Sequence, residues 1–200
     1  MTALWFATGL SDSVLGGTVP LGPTLGNMTL SIGGRGAPIV QVTPNSLAFL
    51  TPWDLSGNAM LVAQVPGENT PFDYPEVPVV IGTSVPLAGP IRRQDWSQTY
   101  VGPVSTGEVI HVWALGFGPV SPEVPFGAAA PMAEPFARLA NTLTCSNADV
   151  LYAGLAPGAV ERVYQIDLRI GPVAGYQKFT CSLSGNPFGF LTLNVVASNP

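Results

Sequence analysis

The chain has 200 residues and a formal net charge of −5, with seven Lys and Arg against twelve Asp and Glu. It has no basic footprint with which to displace counterions, which sets aside nucleic acid and anionic membrane surfaces as partners. Charged residues are 10% and apolar residues 46%, while 23 Gly and 21 Pro break almost every helix-length window. The composition therefore points to an all-β chain of short strands and Gly/Pro turns.

The opening MTALWFATGLSDS has no basic n-region, so it is not an intact secretion signal. It reads as a strand from Ala3 to Leu10, which leads us to expect a trimmed chain whose natural start lies upstream. Met28, Leu30 and Ile32 alternate before the Gly33-Gly34 turn. Short strands follow at Ile39–Val42, Leu47–Thr51, Ala59–Val65 and Val77–Ile81, each stopped by Pro, Gly or Asn. Residues 86–107 hold Pro86, Pro90, Arg92, Arg93, Asp95, Trp96 and Tyr100 with weak periodicity. They read as a connection, with one strand around Thr99–Val104. Val109–Phe117 is a dense apolar strand. Leu143–Cys145, Val150–Tyr152, Tyr164–Ile170, Tyr176–Leu183 and Phe190–Val196 complete the set. Within Leu151–Gly171, Ala153 to Gly158 reads as a flexible turn. After it, Tyr164, Ile166, Leu168 and Ile170 share one face, with Gln165, Asp167 and Arg169 opposite. No apolar run reaches the length needed to span a bilayer.

The two halves resemble each other. Leu4-Trp5-Phe6-Ala7-Thr8-Gly9-Leu10 matches His111-Val112-Trp113-Ala114-Leu115-Gly116-Phe117, and Met28-Thr29-Leu30 matches Thr142-Leu143-Thr144. Ala37-Pro38-Ile39-Val40 matches Ala148-Asp149-Val150-Leu151, and Ser46-Leu47-Ala48-Phe49 matches Gln165-Ile166-Asp167-Leu168. This order predicts an internal duplication. The expected architecture is two tandem immunoglobulin-like β-sandwiches: a first over 1–85, a linker or connecting strand over 86–107 and a second over 108–200.

Cys145 shares a strand face with Leu143, and Cys181 one with Phe179 and Leu183. Two inward cysteines either pair across strands or remain buried thiols. Low charge and an even cysteine count favour the disulfide, which would stabilise by roughly 3–4 kcal/mol on the chain-entropy model.

Two further stretches carry a family resemblance. The run Gly107-Glu108-Val109-Ile110 through Ala114-Leu115-Gly116-Phe117-Gly118-Pro119-Val120-Ser121-Pro122 is one; Ala153 to Gly158 followed by Val163-Tyr164-Gln165-Ile166-Asp167 is the other. Together they resemble the uncharacterised C-terminal domain family of large secreted proteins of Acidobacteria, the Solibacter type. Ala37-Pro38-Ile39 and Pro52-Trp53 are similar to that family's first-half motifs, although Ser46-Leu47-Ala48 stands where the family shows Gln-Ile-Asn. The resemblance implies IPT/TIG-like modules exported from the cell, and no catalytic residues.

Chemical candidates are few. Zinc and blue-copper sites need several His or Cys ligands, and His111 is the one histidine, set in an apolar strand and read as structural. It has no Gly-x-Ser-x-Gly elbow to serve. Asp73 and Glu76 are a nearby acid pair in a Pro-rich loop, read as solvated rather than as glycosidase carboxylates. Asp54-Leu55-Ser56-Gly57-Asn58 offers oxygens to calcium but lacks the acid spacing of an EF-hand loop. No cofactor is expected. Trp53, Trp96 and Tyr100 lie in turn or linker contexts, where they fill a module junction or, if exposed, bind a ligand. The expected function is a non-enzymatic, exported structural, adhesion or interaction module of a larger surface or secreted protein. Its partners would be other domains of that protein, or extracellular proteins and glycans, without membrane insertion. The alternative is a carbohydrate-binding module using Trp53, Trp96 and Tyr100. A hydrolase working through acid pairs would need two carboxylates facing across a cleft.

Overall fold

The computed structural model describes residues 2–5 (backbone only), 12–17, 19–52, 54–64, 77–81, 86–97, 103–160 and 163–197. Regular structure among them is entirely β. The chain divides into two compact units, Met1–Thr83 with Pro125–Ala129, and Ser84–Val124 with Ala130–Pro200.

The first unit contains β1 (Thr2–Trp5), β2 (Val14–Leu15), β3 (Thr24–Leu25), β4 (Met28–Ile32), β5 (Arg35–Gly36), β6 (Ile39–Thr43), β7 (Ser46–Phe49), β8 (Gly57–Gln64) and β9 (Val77–Ile81). A 4-stranded sheet runs β1-β7-β6-β2, and a 5-stranded sheet runs β3-β4-β8-β9 with β5 on β4. Period-two alternation sends Met28, Leu30 and Ile32 inward from β4, and Leu47 and Phe49 from β7. They meet Leu61, Ala63, Ile39 and Val42 in one core. Each fully buried aliphatic there contributes roughly 1.5–3 kcal/mol. The segment 125–129 closes onto the unit through Leu21 N–H, which donates to the Gly127 carbonyl at 2.8 Å. A Cβ on Gly127 would lie 2.3 Å from the Leu21 carbonyl oxygen, and its φ of +83° favours glycine as well.

The second unit contains β10 (Leu87–Arg93), β11 (Val104–Ser105), β12 (Val109–Leu115), β13 (Val120–Ser121), β14 (Arg138–Leu139), β15 (Leu143–Cys145), β16 (Ala148–Leu155), β17 (Tyr164–Ile170), β18 (Gly175–Leu183) and β19 (Asn186–Val196). They form one 10-stranded sheet in the order β10-β12-β17-β16-β15-β18-β19-β11, with β13 and β14 on its flank. The sheet folds onto its own apolar face. Phe117 lies 5.6 Å from Tyr164 of β17, and 6.0 and 5.8 Å from Phe188 and Phe190 of β19. Ile110, Val112, Ile166, Leu168, Ile170 and Phe179 are fully buried with them.

The pairing registers of the two units correspond. In the first, β1 and β7 align Ala3 with Ala48, Leu4 with Leu47 and Trp5 with Ser46. In the second, β12 and β17 align His111 with Asp167, Val112 with Ile166 and Trp113 with Gln165. On the next strand, a bulge between Ile39 and Gln41 in β6 matches one between Val150 and Tyr152 in β16. Ile32 lies opposite Leu61 and Arg35, just as Cys145 lies opposite Cys181 and Ala148. The correspondence therefore runs Leu4 to Val112 and Leu30 to Leu143. This is one residue away from the match of apolar runs in the sequence.

Three sequence expectations are corrected. Residues 86–107, read as a connection, hold the 7-residue strand β10, which pairs with β12. Its irregular burial follows from a bulge between Ala88 and Ile91, which breaks the alternation a strand normally shows. Ala153–Gly158, read as a flexible turn, is strand through Leu155 and turns only at 156–159, where Ala159 N–H donates to the Ala156 carbonyl at 2.9 Å. The second unit also differs from the expected pair of separate sheets. The tight turn at Ser146-Asn147, with Asn147 at φ +59°, joins β15 to β16 and makes hydrogen bonding continuous. In the first unit Ala37-Pro38 interrupts the same stretch, because proline brings no N–H to the ladder.

Candidate functional site

His111 keeps the apolar strand setting read from the sequence and lies on its outer side. Its neighbours Ile110 and Val112 are core residues, so alternation turns His111 and Trp113 to the opposite, outer face of β12. Registers place Arg92, His111, Asp167 and Tyr152 side by side across β10, β12, β17 and β16. A second row holds Trp113, Gln165, Gly154 and Arg138. Two adjacent rows on one face thus bring polar and aromatic side chains together.

The contacts within the patch are specific. His111 Nδ1 lies 2.7 Å from Asp167 Oδ1. Gln165 Nε2 donates to Asp167 Oδ1 and Oδ2 at 3.0 and 3.2 Å. The Trp96 indole stacks on the His111 ring with centroids 4.3 Å apart and planes 8° apart, and Trp113 is tilted beside it at 6.5 Å. At the far end, the Arg138 guanidinium lies 5.0 Å from the centroid of the Tyr152 ring, and Phe136 meets that ring edge-on at 6.1 Å. Glu134 accepts from Phe136 N–H at 2.8 Å and from Arg138 at 3.1 Å, and the Phe136 bond first holds its carboxyl below the usual range. Burial, with the Asp167 and Glu134 charges adding, raises the Tyr152 phenol above its ordinary value despite Arg138. The phenol donates to the Leu155 carbonyl at 2.8 Å. It crosses Gly154 to do so, and a Cβ there would lie 2.7 Å from its oxygen and 2.4 Å from the Ala137 carbonyl oxygen.

Trp96 is placed by a tight turn. Its N–H donates to the Arg93 carbonyl and Arg93 N–H donates to the Ser97 carbonyl, both at 2.8 Å. Asp95 Oδ1 accepts from Ser97 N–H at 2.9 Å and from Ser97 Oγ at 2.6 Å, and these bonds, the hydroxyl first, lower the Asp95 carboxyl below its usual range. Arg93 braces the same turn through Glu108 at 2.8 Å and through the Pro103 carbonyl. Trp96 itself adopts φ +65°, a left-handed conformation that costs a bulky residue about 1–2 kcal/mol. The residue remains 52% exposed.

Of the aromatic candidates, Trp96 therefore joins the patch, whereas Trp53 and Tyr100 lie outside the described residues, as do Asp73 and Glu76. Alternation alone puts Gln165 and Asp167 on one polar face; the sequence does not join His111, Trp113, Tyr152 and Arg138 to them. The available signal was the phase of the alternation in 109–115 and 164–170. Cys145 and Cys181 are joined in a disulfide between directly opposed residues of β15 and β18, with Cα atoms 4.0 Å apart. Asp54 carries an ion pair with Arg35 at 2.5 Å. Among the described residues, no group of three or more His, Cys, Asp or Glu side chains is placed to hold a metal ion, and no helix is long and apolar enough to cross a membrane. A shallow recess on the first unit, lined by Asn58, Ala59, Met60, Pro78, Val79 and Val80, carries no titratable group.

No known protein family matches the chain, and no curated protein matches it. Among solved structures, domains 4 and 5 of the S-layer protein SbsC are similar over 86% of this chain and 77% of that one, at 14% identity and a TM-score of 0.22.

Proposed function

We propose that the chain is a non-enzymatic, exported module that spaces, presents or adheres as part of a larger cell-surface or secreted protein. The observation that carries this reading is the Cys145–Cys181 disulfide, a bond that a reducing cytosol does not maintain. The proposed architecture is two tandem immunoglobulin-like units of the IPT/TIG kind, derived from an internal duplication. Its support is the matching register of three strands and the bulge at the same place in each unit. Membership of the Acidobacteria secreted-domain family is proposed on the motifs quoted above.

The non-enzymatic part is supported by where the reactive groups are committed. Both thiols form one bond, His111 is held between Asp167 and an indole, and the Arg93–Glu108 pair braces a turn. The proposed partners are neighbouring domains of the parent protein, or extracellular proteins and glycans. The test is fractionation of cells expressing the native protein, with thiols blocked at lysis. The expected result is an extracytoplasmic chain with no thiol reactive after denaturation without reductant. Recovery from the cytoplasm with two reactive thiols overturns the proposal.

A further inference from the structure

We infer that the outer face of the second unit is a binding site for a neutral oligosaccharide, with Trp96 taking the ring face of a pyranose and the row Arg92–Asp167–Tyr152 taking its hydroxyls. The inference rests on the adhesive reading above and names the chemistry of its contact. The first observation is the turn. Trp96 holds a backbone conformation at which glycine or asparagine sits without penalty, and three side chains (Asp95, Ser97 and Arg93) lock that turn. The outcome is an indole laid flat on His111 and half exposed, so one face is backed by a ring and the other meets solvent. Packing alone would not require this, because a buried tryptophan gains more area than one lying on a surface.

The second observation is the kind of surface around it. Pyranoses present C–H groups on their faces and hydroxyls at their edges, so they need aromatic planes interleaved with hydrogen-bonding groups. Trp96 and Trp113 supply the planes. Asp167 keeps acceptor capacity beyond His111 and Gln165, and Arg92 and Arg138 supply donors. The charges balance, with Arg92 and Arg138 against Asp167 and Glu134, within a chain of −5 overall. That balance favours an uncharged ligand over a polyanion or polycation. The row crosses four neighbouring strands, β10 to β16. At about 4.8 Å per strand its span is about 14 Å, the length of a short oligosaccharide.

The test is affinity electrophoresis of the purified, disulfide-bonded chain in native gels cast with hydroxyethylcellulose, xylan, galactomannan, mixed-linkage β-glucan or pullulan, and with alginate as a charged control. Retardation by at least one neutral polymer and none by alginate is expected. Trp96→Gly and Trp96→Asn both accept a left-handed backbone, so they should keep or raise Tm while weakening retardation about tenfold. Retardation by none of the polymers, by alginate alone, or equally for wild type and Trp96→Gly overturns the site. Such a failure in an oxidised, extracytoplasmic chain removes the glycan site and leaves the exported module standing. A reduced cytoplasmic chain removes the exported module whatever the gels show.

Discussion

The two units share a strand register and differ in what the register carries. In the first, the outer row across β7 and β6 is Ala48 and Gln41; in the second, the row across β12, β17 and β16 is His111, Asp167 and Tyr152. The inward positions between these rows stay aliphatic in both, with Leu47 and Ile166 each fully buried. The hairpin pair differs as well, Ile32 opposite Leu61 in one unit and Cys145 opposite Cys181 in the other. The scaffold thus tolerates a change of outer-face chemistry because the strands are held from the other side. Core packing depends on one phase of the alternation, and a surface can be built on the other.

The largest way to separate the units is through the disulfide. Its sequence separation is 36, so replacing both cysteines by alanine should destabilise the second unit by about 4 kcal/mol and leave the first unchanged. Urea unfolding followed by a probe in each unit checks this, and equal losses in both would contradict the division. Next is the shared core. Leu47→Ala and Ile166→Ala occupy corresponding positions, so each should cost its own unit about 3 kcal/mol. A loss confined to one of the two would break the register correspondence.

These comparisons show how far the sequence could be read. Strand positions were legible wherever one face is apolar and the other polar, as in Tyr164–Ile170, and the disulfide was favoured by low charge and an even cysteine count once strand phase had turned both cysteines inward. The phase of Val109–Leu115 was harder, because Trp113 on the outer face is as apolar as the core residues beside it. The same ambiguity let Leu4 be matched with His111 instead of Val112, since a one-residue slip between two apolar runs leaves composition unchanged. The bulge at Val40 and Leu151 fixes the offset, and a bulge has no composition of its own. The turn that presents Trp96 gave no signal either. Left-handed turn positions are read from Gly or Asn, and neither is there.

A smaller effect tests the site side of the comparison. Thr43 and Gly154 correspond, the former paired with Ser46 and the latter with Gln165. The first unit thus accommodates a side chain where the second has none. Gly154→Ala would place a methyl 2.4 Å from the Ala137 carbonyl oxygen and 2.7 Å from the Tyr152 hydroxyl. A loss of about 2 kcal/mol is expected, with Tyr152 displaced from Leu155, and thermal melting with tyrosine fluorescence reports both. Thr43→Ala should change stability far less. If the two substitutions cost the same, the close approach of β14 to β16 does not constrain Gly154.

The smallest expected effect concerns acid, and it falls on the turn that presents Trp96. Asp95 holds Ser97 through its side chain, and these bonds depress its folded pKa below the ordinary 3.8. For a depressed carboxylate, the stabilisation is fully present above the unfolded value and is lost as pH falls through the folded one. From pH 7 to about 5 the stacking of Trp96 on His111 should therefore gain nothing from Asp95 titration. Below the ordinary carboxylate range Asp95 takes up a proton, Ser97 N–H and Oγ lose their ionised acceptor, and the turn loosens. Tryptophan fluorescence should follow with a transition in that acid range. Asp95→Asn keeps a neutral acceptor and no proton to gain, so it should remove the transition while shifting the pH 7 signal only slightly. A transition that survives in Asp95→Asn would assign the acid sensitivity to other carboxylates, and the Trp96 turn would then be held chiefly by Arg93 and its bonds to Glu108 and Pro103.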